Sequence, residues 1–272
     1  METKEAALTI KILDKSGKIK VEKTGEKKVA LSFLEAFSDG DIIRIETTFF
    51  PIGLSLRFTK KIPEANIWLK EKYLEFPLPL NEIGTAYPEG IFSGTEHTLT
   101  VRVTDPELFK EYRNLSVNPL DMHNETTYYP HCTATHESDN HDPRFVARNV
   151  INGTIVPSGH WGWPYTSWGN DRNPEAEIKI DFGRPVLVNR TIIHLRADFP
   201  HDNWWRAMTL EFSDRSKEDL KLLKNGDAQV FDFKEKKIDW VKITALVQCE
   251  EDPSPFPALS QWAIYGRDVF EF

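Results

Sequence analysis

Residues 99–103 read LTVRV, with an apolar side chain at every second position and Thr or Arg between them. The same alternation occurs at residues 8–12, LTIKI, and at residues 54–58, LSLRF. Successive side chains of a β-strand point to opposite faces, so a period of two predicts strands with one buried face. Turn-forming residues separate these runs at 15–18, KSGK, and at 38–41, SDGD. The N-terminal part of the chain is therefore predicted to be an antiparallel β-sandwich.

The C-terminal part shows the same period at 178–182, IKIDF, and at 208–212, MTLEF, with long polar loops between the runs. One helical turn is predicted at residues 105–112, with Asp105 as the N-cap and Pro106 at the first helical position. The chain has no glycine-rich phosphate loop, no strand-helix alternation and no repeat of 20 to 50 residues. These absences argue against nucleotide-binding and solenoid folds.

The 272 residues are enough for two domains. Residues 116–129 contain a proline and little periodicity, and they are predicted to be a connector. We therefore predict an all-β chain with two antiparallel β-sandwich domains, residues 1–115 and residues 130–272.

Composition limits the classes of partner. A net charge of −8 without a long basic block argues against binding to nucleic acid or to an anionic membrane. No run approaches the roughly 18 apolar residues of a membrane-spanning helix. The first twenty residues lack the apolar core of a secretory signal, so a cytoplasmic location is expected. Cys132 and Cys249 are expected to be reduced thiols; the alternative, one disulfide, needs an oxidising compartment.

Five pieces of the C-terminal half carry a resemblance to a known family. They are residues 147–153, ARNVING; Trp168; residues 173–183, NPEAEIKIDFG; residues 212–214, FSD; and residues 262–266, WAIYG. In order and spacing they resemble the factor V/VIII type C, or discoidin, family of galactose-binding-like β-sandwiches. The resemblance implies an eight-stranded jelly roll with ligand loops at one end. Bacterial members of that family commonly bind sugars there, and other members bind lipids or proteins.

The resemblance also implies a structural calcium ion, held by backbone carbonyls and a few side-chain oxygens. The implied ligands are Arg148, Asn149, Asn152 and Gln261. Asn152 and Gln261 stand where the family usually has acidic residues. Because the affinity for calcium falls as carboxylates are lost, two outcomes remain open, a site of modest affinity and a lost site.

Histidines and tryptophans concentrate between positions 123 and 205, which hold seven of the eight histidines and five of the eight tryptophans. Within this region, residues 160–168, HWGWPYTSW, form a turn-rich loop. Aromatic rings there can stack on the apolar face of a pyranose while polar neighbours bind its hydroxyl groups. The alternative is core packing, which is favoured for Trp168, the match to the family's structural tryptophan. The predicted sugar contacts of this loop are His160, Trp161, Trp163 and Tyr165.

The second candidate is residues 196–206, RADFPHDNWWR, between two predicted strands. Arginine, carboxylates, an amide and two indoles offer the mixed donors and acceptors that a sugar needs around a stacking ring. The alternative is a salt-bridged hairpin whose tryptophans cover the end of the barrel. The predicted sugar contacts here are Arg196, Asp198, His201, Asn203 and Trp204.

The third candidate is residues 131–142, HCTATHESDNHD. Imidazole and carboxylate groups are ligands of transition metals, but the spacing matches no standard zinc motif. A polar loop is the plainer interpretation. If the segment is functional, we expect it to add His136, Asp139 or His141 to the sugar site.

The sequence therefore favours a non-catalytic protein that binds a mono- or oligosaccharide. No nucleophile elbow or HExxH motif is present, although paired carboxylates of a glycoside hydrolase can come from distant strands. Two alternatives stay open: a carbohydrate-active enzyme that uses the His/Asp cluster, and a protein-interaction module.

Overall fold

The protein is described by a computed structural model, which covers residues 7–123, 126–137, 142–159, 161–197 and 203–269. Strands dominate these ranges, which confirms the prediction of an all-β chain with antiparallel sheets. None of the helices in these ranges is long and apolar enough to cross a membrane.

Two sheets form the N-terminal sandwich. Its strands are, in chain order, β1 (Ala7–Leu13), β2 (Ile19–Glu26), β3 (Lys28–Phe33), β4 (Ile42–Thr47), β5 (Ile52–Arg57), β6 (Ala65–Leu69), β7 (Tyr73–Pro77) and β8 (His97–Val103). One sheet has the order β2-β1-β4-β7, and the other pairs β6, β5, β8 and β3 in that order. A short 3-10 helix, Leu80–Glu82, follows β7.

The alternation in the sequence decides which side chains fill this core. Leu8, Ile10 and Ile12 are fully buried, whereas the residues between them remain partly accessible. The opposite sheet contributes Leu54 and Leu99, which are also fully buried. Burial of apolar area stabilises the fold by roughly 25 cal/mol per Å², so one buried face per sheet supplies the driving force.

The predicted helical turn is present as a helix at Pro106–Lys110. Asp105 caps it, because the Asp105 carboxylate accepts the backbone N–H of Glu107 at 3.0 Å. Pro106 lies in the first turn, where its missing N–H has no helical partner to lose.

The predicted connector, residues 116–129, follows one short strand and ends in another, and the two strands belong to different sheets. The strand β9 (Arg113–Asn114) pairs with the last strand of the C-terminal sheet, whereas β10 (Tyr128–Tyr129) pairs with β6. Leu120 and Tyr128 pack in the N-terminal core. Asp121 is also buried, since its carboxylate lies 2.7 Å from His131 Nδ1 and accepts the Cys132 N–H at 2.9 Å.

The C-terminal half is built from one eight-stranded sheet that includes β9. Its other strands are β11 (His131–Ala134), β12 (Trp168–Gly169), β13 (Ile178–Leu195), β14 (Trp205–Phe212), β15 (Lys217–Lys221), β16 (Gln229–Gln248) and β17 (Ala258–Asp268). The order is β12-β17-β13-β16-β14-β15, with β11 on the first part of β13. Register shifts between Asp181 and Val186 and between Val188 and Arg190 interrupt the ladder of β13 with β16. Such irregularities bend strands, so the long sheet can curl around a single core.

Three tryptophans lie at the centre of this second core. Trp168, Trp205 and Trp262 are almost fully buried, and the rings of Trp168 and Trp205 stack with centroids 5.7 Å apart. The Trp168 indole N–H donates to the carbonyl of His136 at 2.9 Å. Trp168 is therefore a core residue.

Replacement of Trp168 by alanine removes this stacked ring. We expect Trp168→Ala to lower the free energy of unfolding by about 3 to 5 kcal/mol, the usual cost of truncating a core aromatic residue. Leu223→Ala is the control, since Leu223 is 66% exposed and a surface truncation changes stability by about 0.5 kcal/mol at most. Urea denaturation followed by circular dichroism measures both values. Equal losses in the two variants would contradict this assignment.

Candidate functional site

Loops that follow β15 and β16 meet beside the start of β14 and form a cavity of about 680 Å³. Antiparallel pairing brings the start of β14 next to the ends of β15 and β16. The lining consists of Trp204, Lys224, Cys249 and residues 251–256. The volume is in the range of small-molecule sites, and the cavity is broadly open to solvent.

Two aromatic side chains line this cavity. Trp204 is half-buried and packs against the C-terminal core. Phe256 is 55% exposed. The guanidinium of Arg172 lies 5.5 Å from the Phe256 ring centroid. The cavity thus combines an exposed phenyl ring with an indole anchored in the core.

Charged groups stand beside these rings. Lys224 Nζ lies 2.5 Å from Asp252 Oδ2, and the Ser254 N–H donates to Asp252 Oδ1 at 3.1 Å. The hydrogen bond from Lys224 holds the pKa of the Asp252 carboxyl below its ordinary value. Glu251 Oε2 accepts the thiol of Cys249 at 3.3 Å. The cavity therefore holds a Lys–Asp ion pair and a second carboxyl group.

Asn203 holds the loop that forms the cavity wall. Its side-chain nitrogen lies 3.1, 3.1 and 2.6 Å from the carbonyl oxygens of Cys249, Asp252 and Ser254. Its side-chain oxygen accepts the Trp204 N–H at 2.6 Å. Asn203 is 1% exposed. The structure places this predicted sugar contact beneath the cavity, where backbone groups already use its donors and acceptor.

Arg196 and His136 are also occupied by protein groups. Arg196 is 5% exposed, its Nη1 donates to Ser167 Oγ at 3.2 Å, and its guanidinium lies 5.6 Å from the Phe145 ring. His136 Nε2 lies 2.7 Å from the amide nitrogen of Asn173. That nitrogen can only donate, so His136 Nε2 accepts and the ring proton lies on Nδ1. Neither side chain lines the cavity.

Gly162 and Trp163 of the predicted loop lie against the N-terminal sandwich. The Trp163 N–H donates to the Thr85 carbonyl at 2.7 Å. A Cβ atom on Gly162 would lie 2.2 Å from the Gly84 carbonyl oxygen, so only glycine permits this approach. Trp163 and Tyr165 are half-buried, whereas Trp161 is 65% exposed. The loop therefore forms a surface separate from the lining of the cavity.

Five of the predicted sugar contacts lie outside the described residues. They are Asp139, His141, His160, Asp198 and His201.

Three of the residues implied as calcium ligands, Asn149, Asn152 and Gln261, form a buried cluster joined by hydrogen bonds from the Gln261 side-chain amide. Gln261 Nε2 donates to the Asn149 carbonyl at 2.7 Å and to Asn152 Oδ1 at 2.8 Å. Arg148 points elsewhere: its Nη2 donates to Glu82 Oε2 at 3.0 Å across the boundary between the sandwiches. Within the described ranges, no group of three or more His, Cys, Asp or Glu residues could hold a metal ion. This set of donors does not fit a hard divalent cation.

Both cysteines are buried free thiols. Burial raises the pKa of the Cys132 thiol well above its ordinary value, so this group is a poor nucleophile. Cys249 lines the cavity.

Comparisons with known proteins give structural matches alone. No family model and no curated protein matches the chain. Matching structures include chitosan-binding module 1 of a chitosanase/glucanase from Paenibacillus sp. IK-5, at 17% identity and a TM-score of 0.36, covering 57% of this chain and 99% of that one. A fucose binding module of Streptococcus pneumoniae matches at 16% identity and a TM-score of 0.39, covering 57% of this chain and 96% of its own.

A third match is the family 32 carbohydrate-binding module of Clostridium perfringens NanJ in complex with galactose, at 15% identity and a TM-score of 0.38, covering 49% of this chain and 91% of that one. All three structures are described as modules that bind carbohydrates. Likeness at this level does not indicate which ligand this chain binds.

Removal of the Asn203 amide tests its role in the loop. We expect Asn203→Ala to lower the free energy of unfolding by about 1 to 3 kcal/mol, because buried backbone groups lose their partner. Asn189→Ala is the control, since its side-chain oxygen accepts one exposed hydrogen bond from Tyr112. Urea denaturation compares the two. A loss no larger than that of the control would show that the loop does not depend on Asn203.

Proposed function

We propose that the chain binds a mono- or oligosaccharide, without catalysis, in the cavity formed by Trp204, Lys224, Cys249 and residues 251–256. The observation that carries this proposal is the exposed Phe256 ring in a concave surface with a charged pair beside it. An exposed aromatic ring costs solvation free energy in the unliganded protein, and a stacked ligand recovers it.

The chemistry of the lining suits a sugar. A pyranose presents an apolar C–H face, for which Phe256 and Trp204 supply flat partners. Its hydroxyl groups both donate and accept, so Lys224 Nζ and the Asp252 carboxylate can each find a partner. The Lys224 ammonium has three donors and its bond to Asp252 uses one, so the others can bind sugar hydroxyl groups.

The sugar contacts proposed from the structure differ from those predicted from the sequence. Trp204 belongs to both sets, and Phe256, Lys224 and Asp252 are new contacts. Arg196 and Asn203 support the loops instead, because protein groups occupy their polar atoms.

Asp252 does not suit the general-acid role of a glycoside hydrolase. A glycoside hydrolase needs one carboxylic acid with a raised pKa, which remains protonated until it acts. The Lys224 hydrogen bond shifts the pKa of Asp252 in the opposite direction.

Truncation of Phe256 gives the cleanest test, because an exposed side chain contributes little to stability. We expect Phe256→Ala to weaken binding of a glycan-array hit at least tenfold, about 1.4 kcal/mol, with an unchanged melting temperature. Phe49→Ala is the control, since Phe49 is 54% exposed on the N-terminal sandwich. Isothermal titration calorimetry measures both affinities.

Two outcomes would redirect the proposal. Parental affinity in Phe256→Ala with loss in Trp161→Ala would move the site to the loop against the N-terminal sandwich. Release of reducing ends on incubation with the glycan would indicate the carbohydrate-active enzyme.

A further inference from the structure

A buried group of side-chain amides joins the last strand to the segment 147–154. Gln261 lies in β17, and its amide nitrogen donates to the Asn149 carbonyl at 2.7 Å and to Asn152 Oδ1 at 2.8 Å. Gln261 Oε1 accepts the Gly153 N–H at 3.1 Å. One side chain thus makes three hydrogen bonds to a segment more than a hundred residues earlier. We infer that the Gln261 amide takes the place of the calcium ion that the family resemblance implies.

Backbone partners fix the orientation of both amides. The Gly153 N–H can only donate and the Asn149 carbonyl can only accept, so Gln261 Oε1 and Nε2 cannot be exchanged. Asn152 is fixed in the same way, because its Oδ1 accepts the Thr154 N–H at 2.8 Å. Asn152 Nδ2 then faces Thr166 Oγ1 at 3.2 Å. An N–H group of Gln261 therefore points at the two oxygens that a cation would need.

The ligand requirements of calcium also argue against a calcium ion at this cluster. Calcium takes six to eight oxygen ligands at about 2.3 to 2.6 Å. Here the Asn149 carbonyl and Asn152 Oδ1 face a donor, and Gln261 Oε1 is turned toward Gly153. Asn152 and Gln261 are each 5% exposed and carry no charge. A divalent cation in this buried neutral cluster would have no carboxylate to balance its charge.

One buried oxygen in this region has no hydrogen-bond partner among the described residues, Asn149 Oδ1. The Asn149 amide nitrogen lies 3.0 Å from the carbonyl oxygens of Pro143 and Ser167, which fixes the side chain. A single neutral oxygen does not make a site for a hard cation, but it can accept a hydrogen bond from a buried water molecule.

Asn152 and Gln261 both carry amides at positions where the family resemblance implies carboxyl groups. An amide has nearly the shape of the carboxyl group that the family places at each position, so the backbone can keep its course. Replacement of one acid alone would leave the other carboxylate buried without its cation, at a high cost in free energy. Asn152 and Gln261 together remove two negative charges, and the loss of one divalent cation balances them. The joint change therefore yields a neutral cluster that holds the segment without a metal.

Melting temperatures of the full chain in excess CaCl2 and in EDTA test this inference. For the wild-type chain we expect the same melting temperature in both, and no heat of calcium binding by calorimetry. In Gln261→Glu a carboxylate faces the Asn149 carbonyl and Asn152 Oδ1. We expect its melting temperature in EDTA to fall by on the order of 5 °C and to recover in calcium.

Gln229→Glu is a matched control. Gln229 is buried, its Nε2 donates to the Leu223 carbonyl at 2.9 Å, and its Oε1 accepts the Leu223 N–H at 2.8 Å. Its replacement also sets a carboxylate against a carbonyl oxygen, but far from the cluster in the sequence. We expect the melting temperature of this variant to fall and not to recover in calcium.

Other results of the calcium and EDTA measurements would support or contradict the replacement of calcium by the Gln261 amide. A wild-type melting temperature that rises in calcium, with the rise lost in Gln261→Ala, would overturn it. So would a Gln261→Glu variant that calcium does not restore, or equal recovery of Gln229→Glu. If Gln261→Glu does not fold in EDTA, refolding only in the presence of calcium supports the inference, and refolding in neither condition contradicts it.

Discussion

The last strand, β17, is hydrogen-bonded to β9, β12 and β13, and it joins the segment that leaves the N-terminal sandwich to the C-terminal sheet. Its first residues pair with the strand that carries Trp168, and its middle carries Trp262 into the core. At its end the Asp268 carboxylate binds Arg184 and lies 2.7 Å from Arg113 Nη2. Because Arg113 belongs to β9, this buried carboxylate fixes the segment that leaves the N-terminal sandwich. A chain that lost β17 would leave β9 and β12 without their partner strand in this sheet.

In the loops, neutral side-chain amides form the hydrogen bonds to backbone groups that neighbouring strands supply in the sheet. Asn203 binds the backbone of residues 249–254, Gln229 binds that of Leu223, and Gln261 binds that of Asn149 and Gly153. An amide offers two donors and an acceptor, so one side chain satisfies several backbone groups. It does so without the desolvation cost of a buried charge. Asn203 therefore fixes the shape of the cavity wall without a ligand, which under the proposed function reduces the entropy lost on binding.

The sequence predicted strands and core well because side-chain alternation is a local property. Residues 8–12 have one buried face in any antiparallel sandwich, and the structure buries that face. Asn203 and Arg196 show the limit of this reasoning. Their residue types suit a sugar, but carbonyl groups and a hydroxyl from distant loops occupy them. Phe256 was missed because residues 251–257, EDPSPFP, have no periodicity; an aromatic residue between two prolines in a polar loop was the available signal.

Two consecutive residues of the 3-10 helix Ala147–Ile151 make contacts in different directions: Arg148 contacts the N-terminal sandwich, and Asn149 binds Gln261 in β17. Arg148 is 8% exposed; its Nη2 binds Glu82, and its guanidinium lies 4.5 Å from the Tyr87 ring, both in the N-terminal sandwich. The next residue, Asn149, gives its carbonyl to Gln261 of β17. A shift of this short helix would break contacts on both sides at once. The hydrogen bonds of Gln261 therefore stabilise the boundary between the sandwiches as well as the fold of the C-terminal half, and the Thr85–Trp163 contact adds a second connection across that boundary.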